Sequence, residues 1–173
     1  MDNKVFVLTE QQSIANHFLS ELRDAALQKD RMRFRRNMER LGEILGYEIS
    51  RKLAYRPHKV TTPLGELIVP VLAQNPVLIT ILRAGLPFHQ GFLNVFDHAD
   101  SGFIGACRNE STTAITVDID YLSVPTVQDR PVVLIDPMLA TGRSILDAQR
   151  SRVTYVLYSQ YSTIKFNVFQ KII

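Results

Sequence analysis

Apolar residues in the first third of the chain recur at the spacing of an α-helix. Between Gln11 and Gln28 they share one helical face, at Ile14, Phe18, Leu22, Ala25 and Ala26. Thr9, with Gln12 three residues later, has the pattern of a capping box for this helix. A second amphipathic segment runs from about Arg31 to Leu53, and its apolar stripe consists of Phe34, Met38, Leu41, Leu45, Ile49 and Leu53. The pattern therefore predicts two helices at the start of the chain.

Beyond these helices the pattern changes to short apolar runs of strand length. Lys59–Pro70 predicts two strands around a turn at Pro63–Gly65. Further strands are predicted at Val77–Leu82, Gly102–Cys107, Ala114–Asp120, Val132–Asp136 and Val153–Tyr158, with helices at about Leu86–Val95 and Ser144–Ala148. This alternation favours an α/β fold, in which helices flank a largely parallel sheet. Such sheets bind ligands at the carboxyl ends of their strands.

Composition restricts the class of protein. The 173 residues are 46% apolar, which is ample for the core of one domain. No apolar run approaches the ~20 residues of a membrane-spanning helix, and the first residues lack the layout of a signal peptide. A single cysteine, Cys107, cannot form an internal disulfide, so we expect a cytoplasmic protein. No spacing of cysteine and histidine is typical of a zinc site.

The distribution of charge argues against nucleic acid as a partner of the whole domain. The net charge is +3, but the last 26 residues contain four cations and no acid, which leaves 16 cations against 17 acids elsewhere. The body of the chain is therefore near neutral. A run of arginines from Arg31 to Arg40 is explained first as a solvated helix face, with a ligand or RNA surface as the alternative.

The segment Pro131–Ser144 joins a strand, an acid, a small polar loop and the start of a helix. Asp136 ends the strand, and Ala140–Ser144 offers backbone amides together with the hydroxyls of Thr141 and Ser144. Amides at a loop and a helix N-terminus attract phosphate, and a carboxylate at the strand tip accepts hydrogen bonds from sugar hydroxyls. The segment predicts a site for a phosphorylated sugar, and a turn with a cap and no ligand is the alternative.

Three motifs together resemble the uracil phosphoribosyltransferase family. Pro131–Ser144 is similar to its phosphoribosyl pyrophosphate loop, and the pair Asp136–Pro137 resembles the uracil branch, because relatives that act on other bases usually carry two acids there. Ile79–Leu86 is similar to the family's pyrophosphate loop, and Gly105–Ser111 to the stretch that supplies its next arginine. The motifs stand in the family's order, and the resemblance covers roughly residues 10 to 148.

The resemblance implies an enzyme of pyrimidine salvage. It would be a pentosyltransferase that transfers phosphoribosyl from 5-phosphoribosyl 1-pyrophosphate to uracil and yields UMP and pyrophosphate. Magnesium is expected to arrive on the pyrophosphate rather than in a protein cage. The family's β-arm, at Lys59–Pro70 here, packs against a second subunit, so a homodimer or higher homo-oligomer is expected.

The resemblance also assigns roles to residues. Arg83 and Arg108 would bind pyrophosphate, since a guanidinium group matches phosphate oxygens with a planar fork. Asp136 would hold the ribose hydroxyls and favour the cationic transition state. The remaining phosphoribosyl pyrophosphate contacts would come from the loop residues Pro137, Met138, Leu139, Ala140, Thr141, Gly142, Arg143 and Ser144. His89, close after the Arg83 loop, either touches substrate or is a polar helix residue.

The chain departs from the family pattern in two places. Arg143 replaces a second glycine, and it would either add a cation beside the phosphate or crowd the turn. The family's uracil-binding motifs, Gly-Tyr-Ile/Val-Pro-Gly and Gly-Asp-Ala-Gly-Asp, do not occur in the sequence. We therefore expect a phosphoribosyltransferase-like domain over residues 1–148 and a divergent, truncated tail over 149–173. A frameshift, a premature stop and a genuine alternative terminus all fit this tail, and the activity of the shortened chain stays open.

A function of another class is the alternative. Phosphoribosyltransferase folds also serve as non-catalytic, nucleotide-sensing RNA-binding regulators. In that case the helix from Arg31 to Arg40 would supply the phosphate contacts.

Overall fold

The computed structural model describes residues 5–111, 114–137 and 165–166, with backbone alone over 106–111 and 114–120. Its helices are α1 (Ile14–Arg23), α2 (Arg31–Ser50) and α3 (Leu86–Val95). Its strands are β1 (Val5–Phe6), β2 (Tyr55–Thr62), β3 (Gly65–Leu72), β4 (Val77–Leu82), β5 (Asp100–Ser111), β6 (Ala114–Ser123), β7 (Val132–Ile135) and β8 (Lys165–Phe166).

Four strands form the central sheet in the order β6-β5-β4-β7. β4 runs parallel to both β5 and β7, whereas β6 is antiparallel to β5. The direction of each neighbour follows from its connection, because a parallel pair needs a crossover such as α3 and an antiparallel pair needs only a short turn. The predicted α/β fold is confirmed. β2 and β3 form a separate antiparallel hairpin, and β1 pairs with β8.

Helix α1 is shorter than the apolar pattern predicts. It begins after Ser13, and Leu8–Glu10 forms a 3-10 turn, so the predicted capping box at Thr9 is wrong. The helix ends before Asp24, whose carboxylate accepts hydrogen bonds from the amides two and three residues later, at 2.8 and 3.0 Å. This local side-chain to backbone bonding competes with the helix and turns the chain into a second 3-10 segment.

The predicted buried face of α1 is confirmed only in part. Leu22 is buried and Phe18 packs against the core, but the rest of the buried face is formed by Ala15 and Leu19, while Ile14 is 62% exposed. The stripe of α2 is confirmed at its centre, at Met38, Leu41, Leu45 and Ile49. The helix begins at the predicted Arg31 but stops at Ser50, before Leu53, and Phe34 of the predicted stripe is exposed. Leu53 still packs against the core from beyond the end of the helix.

The contact of α2 with α3 positions the start of α3 over the sheet. The two helices approach so closely that a Cβ atom added at Gly91 would lie 2.0 Å from the carbonyl oxygen of Glu39. Phe88 and Phe92 of α3 then pack with Leu78 of β4 in the main core. The N-terminus of α3 is thereby held at the carboxyl end of β4.

The strands that form the sheet match their predictions closely. β4 and α3 have the predicted bounds, and β7 ends one residue earlier, at Ile135. β5 runs longer than predicted at both ends, and its C-terminal part continues with β6 as a two-stranded ribbon beyond β4. β6 is longer by three residues, which pair with β5 alongside β4, and the register of the two strands shifts between Gly105 and Ala106. The strand predicted at Val153–Tyr158 and the helix predicted at Ser144–Ala148 lie outside the described residues.

Candidate functional site

Arg83 and Asp136 follow neighbouring parallel strands at the same end of the sheet. β4 ends immediately before Arg83, and β7 ends immediately before Asp136. In the register of the pair, Thr80 lies opposite Ile135, so both strands reach this edge within a few residues of each other. The sheet therefore places Arg83 and Asp136 at the same edge, at the carboxyl ends of its parallel strands, which is where α/β sheets bind ligands.

The turn that carries Arg83 leads directly into α3. The Gly85 amide donates to the carbonyl oxygen of Ile81 at 3.3 Å, and the Leu86 amide donates to that of Arg83 at 3.3 Å. The peptide bond between Leu82 and Arg83 is cis. The first turn of α3 holds no acid, and the N-terminus of a helix favours a bound anion.

Arg83 itself is available to a ligand. Its side chain is exposed, and it forms no ion pair with any residue that the structure describes. A surface salt bridge, the ordinary explanation for such an arginine, therefore does not account for it within the described ranges. Arg83 and the start of α3 together create a positive edge.

Asp136 lies half-buried at the end of β7, beside the buried Pro137. The predicted phosphate loop beyond it, from Met138 to Ser144, lies outside the described residues. Its roles remain predictions, as does the effect of Arg143. The division of the chain at residue 148 likewise stays a prediction.

Arg108 belongs to the part of β5 that extends past β4. Gly105 is paired with Leu82, the last residue of β4, and Arg108 stands three residues further along, opposite Val117 of β6. At ~3.3 Å per residue its Cα lies about 10 Å beyond that edge. The topology thus places the backbone of Arg108 at the same end of the sheet as Arg83 and Asp136.

His89 is a buried residue rather than an exposed polar position of α3. It is 4% exposed, and its ring centroid lies 5.4 Å from that of Phe103 on β5. Its Nε2 has no hydrogen-bond partner among the described residues. Burial lowers the pKa of His89 below its usual value, so the imidazole is held in its neutral form.

The arginines of α2 are largely used within the molecule. Arg33 pairs with Glu21 at 2.9 Å, and Arg36 pairs with Glu39 at 2.7 Å. The guanidinium group of Arg40 lies 4.9 Å from the centre of a phenylalanine ring of α1. These contacts favour the expected solvated, salt-bridged face over a surface for RNA phosphates.

One polar residue of the site was missed by the sequence reasoning. Thr80 interrupts the otherwise aliphatic β4, and its buried Oγ1 donates a hydrogen bond to the carbonyl oxygen of Ile135 at 3.2 Å. The signal that identifies it is a hydroxyl in a fully buried strand, where an unpaired polar group is costly.

A depression of about 480 Å³ lies elsewhere, over α1. It is lined by Thr9, Asn16, Leu19, Ser20, Arg23 and Asp24. It contains none of the predicted site residues, and the geometry of the sheet is the better guide to the site because ligands of α/β sheets bind at the strand ends.

Comparison with known proteins gives concordant matches. The family model described as uracil phosphoribosyltransferase matches residues 8–154. A uracil phosphoribosyltransferase of Porphyromonas gingivalis is 45% identical over 152 residues, which are 87% of this chain and 70% of that protein. One of Pyrococcus furiosus is 37% identical over 131 residues, 74% of this chain and 55% of that protein. The solved structure of the AQ2163 protein from Aquifex aeolicus superposes with a TM-score of 0.75 at 28% identity, covering 93% of this chain and 74% of the other.

Proposed function

Since the chain belongs to the uracil phosphoribosyltransferase family, we propose that it transfers phosphoribosyl from 5-phosphoribosyl 1-pyrophosphate to uracil. As a member it is a pentosyltransferase. In the transfer, the bond between ribose C1 and the pyrophosphate oxygen breaks, and a bond from C1 to a ring nitrogen of uracil forms as that nitrogen loses its proton. The products are UMP and pyrophosphate. The comparisons lend no support to the alternative of an RNA-binding regulator.

The observation that carries the proposal is the position of Arg83 and Asp136 directly after two adjacent parallel strands. The leaving pyrophosphate gathers negative charge, and the ribose becomes positive near C1. A guanidinium group suits the first charge and a carboxylate the second, so the two side chains match the two ends of the breaking bond. The N-terminus of α3 adds a further attraction for pyrophosphate.

The other contacts of the donor are proposed to come from the same edge. Arg108 would add a second cation for pyrophosphate, reached from the ribbon of β5 and β6. The 5-phosphate would be held by backbone amides and hydroxyls of the segment Pro137, Met138, Leu139, Ala140, Thr141, Gly142, Arg143 and Ser144.

Magnesium is proposed to bind together with the substrate, on its pyrophosphate group. Within the described ranges no group of three or more histidine, cysteine or carboxylate side chains is placed to hold a metal. Mg²⁺ is commonly bound by one or two carboxylates together with substrate phosphates and water. When bound, it would neutralise charge on the pyrophosphate.

Titration calorimetry tests the donor site directly. The full chain is titrated with 5-phosphoribosyl 1-pyrophosphate in the presence of Mg²⁺ and again with the metal chelated. We expect Arg83→Ala and Asp136→Asn each to weaken binding at least about tenfold, because each removes a charge-assisted contact. Arg35→Ala, an exposed arginine on α2, is the matched control and should bind as the parent chain does. Undetectable binding to the parent chain, or equal affinity in all variants, would refute the proposed site.

Base specificity is tested by product formation. UMP is measured after incubation with uracil, and cytosine and hypoxanthine serve as controls. The expected result is formation of a nucleotide from uracil alone. Donor binding without any UMP would show that this chain retains the sugar-phosphate half of the site and lacks transfer activity.

The proposal includes a cytoplasmic homo-oligomer. Support for assembly comes from the hairpin of β2 and β3, which exposes Leu64 fully and Ile68 to 72%. Support for a reducing compartment comes from the single cysteine, Cys107. No helix in the described ranges is long and apolar enough to cross a membrane.

A further inference from the structure

A single buried hydroxyl connects the two strand ends of the site. Thr80 lies on β4 with 0% of its surface exposed. Its Oγ1 donates to the carbonyl oxygen of Ile135 at 3.2 Å, and Ile135 immediately precedes Asp136. The hydroxyl therefore links β4 to the end of β7, next to Asp136.

The same hydroxyl lies against the turn that carries Arg83. A Cβ atom added at Gly85 would lie 2.2 Å from Oγ1 of Thr80, so the oxygen occupies the space that a side chain would need there. The Gly85 amide is also bonded to the carbonyl oxygen of Ile81, at 3.3 Å. The turn therefore rests directly on the hydroxyl of Thr80.

We propose that Thr80 is a positioning residue, whose hydroxyl fixes the turn bearing Arg83 relative to the strand end bearing Asp136. This inference rests on the proposed function. One donor molecule must contact Arg83 with its pyrophosphate and Asp136 with its ribose at the same time. A displacement of the Arg83 turn relative to the end of β7 therefore weakens both contacts.

Fold stability by itself gives little reason for a hydroxyl at this position. β4 is already paired with β5 along its length and with β7 over Val77–Thr80, and every other residue of the strand is valine, leucine or isoleucine. A buried hydroxyl must be hydrogen-bonded to avoid a desolvation cost, and an aliphatic residue of the same shape carries no such requirement. Holding the Arg83 turn in place relative to the end of β7 gives the Thr80 hydroxyl a role that fold stability does not supply.

The test separates the hydroxyl from the methyl group of Thr80. Thr80→Val keeps the shape and removes the hydroxyl, Thr80→Ser keeps the hydroxyl, and Thr80→Ala removes both groups without adding bulk. Val77→Ala is the matched control, since Val77 is equally buried in β4 but packs in the cluster on the opposite face of the sheet and lies outside the segment Ile79–Leu86. Thermal unfolding of each variant records the loss of stability.

Affinity for 5-phosphoribosyl 1-pyrophosphate with Mg²⁺ is the first measurement. We expect Thr80→Val and Thr80→Ala to bind about tenfold more weakly than the parent chain, and Thr80→Ser to stay within about twofold of it. Val77→Ala should bind normally despite its loss of core packing. Equal affinity in Thr80→Val and the parent chain, or an equal loss in Val77→Ala, would overturn the inference.

Hydrogen exchange of the Gly85 and Leu86 amides is the second measurement and needs no ligand. Loss of the hydroxyl should accelerate exchange at both amides by about tenfold, with rescue in Thr80→Ser and no change in Val77→Ala. If the parent chain does not bind the donor, the proposed function fails, and exchange still decides whether Thr80 supports the turn. Unchanged exchange in both Thr80→Val and Thr80→Ala would refute that support.

Discussion

At the scale of single residues, His89 makes the stability of the fold depend on pH. Its buried ring packs on Phe103, and its pKa is lowered by desolvation. In the unfolded chain a histidine has a pKa of about 6.5, so the unfolded state takes up a proton before the folded state does. Stability is therefore fully present above pH ~6.5 and is lost as the pH falls towards the lower pKa of the folded state.

The corresponding prediction concerns urea unfolding between pH 7.5 and 5.5. The free energy of unfolding should fall with pH, by no more than about 1.4 kcal/mol per pH unit, the limit for one proton. His89→Phe should flatten this dependence, whereas a substitution of the exposed His98, such as His98→Gln, should preserve it.

Three carboxyl groups with shifted pKa values do not contribute to this pH dependence of stability. Hydrogen bonds lower the pKa of the carboxyl groups of Glu21, Asp24 and Glu39, which therefore stay ionised between pH 7.5 and 5.5. If the free energy of unfolding depends equally on pH in His89→Phe and in the parent chain, another titrating group is responsible.

At the scale of elements, the crossing of α2 and α3 determines where the Arg83 turn lies. Gly91 of α3 lies against the backbone of α2, where an added Cβ atom would meet the carbonyl oxygen of Glu39 at 2.0 Å. Gly46 of α2 is less constrained, because its nearest neighbour is the side chain of Val95 at 3.2 Å. The two glycines thus offer a matched pair of substitutions.

Gly91→Ala should destabilise the fold by about 2 kcal/mol, because a clash with backbone forces the helices apart. Gly46→Ala should change stability by less than about 1 kcal/mol, since a side chain can shift and alanine favours the helix. Urea unfolding of both variants measures the difference. Similar losses in the two variants would show that the helix contact is looser than the structure has it.

At the scale of the whole molecule, the hairpin of β2 and β3 forms a two-stranded sheet separate from the central one. Leu72, at its base, packs against the main core, whereas Leu64, Leu67 and Ile68 are exposed. Two-stranded hairpins are marginal in water without further packing. In the homo-oligomer proposed above, a second copy of the chain covers the exposed residues.

Replacing Ile68 with lysine should therefore reduce the molecular mass in solution to that of a monomer, because a buried, unpaired charge opposes the interface. Light scattering coupled to size exclusion measures the mass. Met32→Lys, which alters an exposed apolar residue on α2, is the control and should leave the mass unchanged. A parent chain that is already monomeric would contradict the proposed assembly.

Sequence patterns predicted the elements around the site better than those at the start of the chain. β4 and α3 were predicted to the residue because an aliphatic run, Arg-Ala-Gly and a following Pro87 are strong local signals. α1 was predicted too long because the bonds from Asp24 to the following amides compete with the helix. Its buried face was predicted only in part, because Ala15 and Leu19 offer a second apolar row beside the predicted one. Only the packing of the folded chain selects between the two rows.

The sequence by itself determined the order of the elements and the chemistry at the strand ends, with Arg83 after β4 and Asp136 after β7. These features are local, since residue periodicity and turn residues act within a few positions of each other. Tertiary structure alone decided that β7 lies beside β4, that Arg108 stands on a ribbon beyond the sheet edge, and that Thr80 reaches Ile135. The reason is physical: the last contact joins residues 55 positions apart, and only the folded sheet brings them within hydrogen-bonding distance.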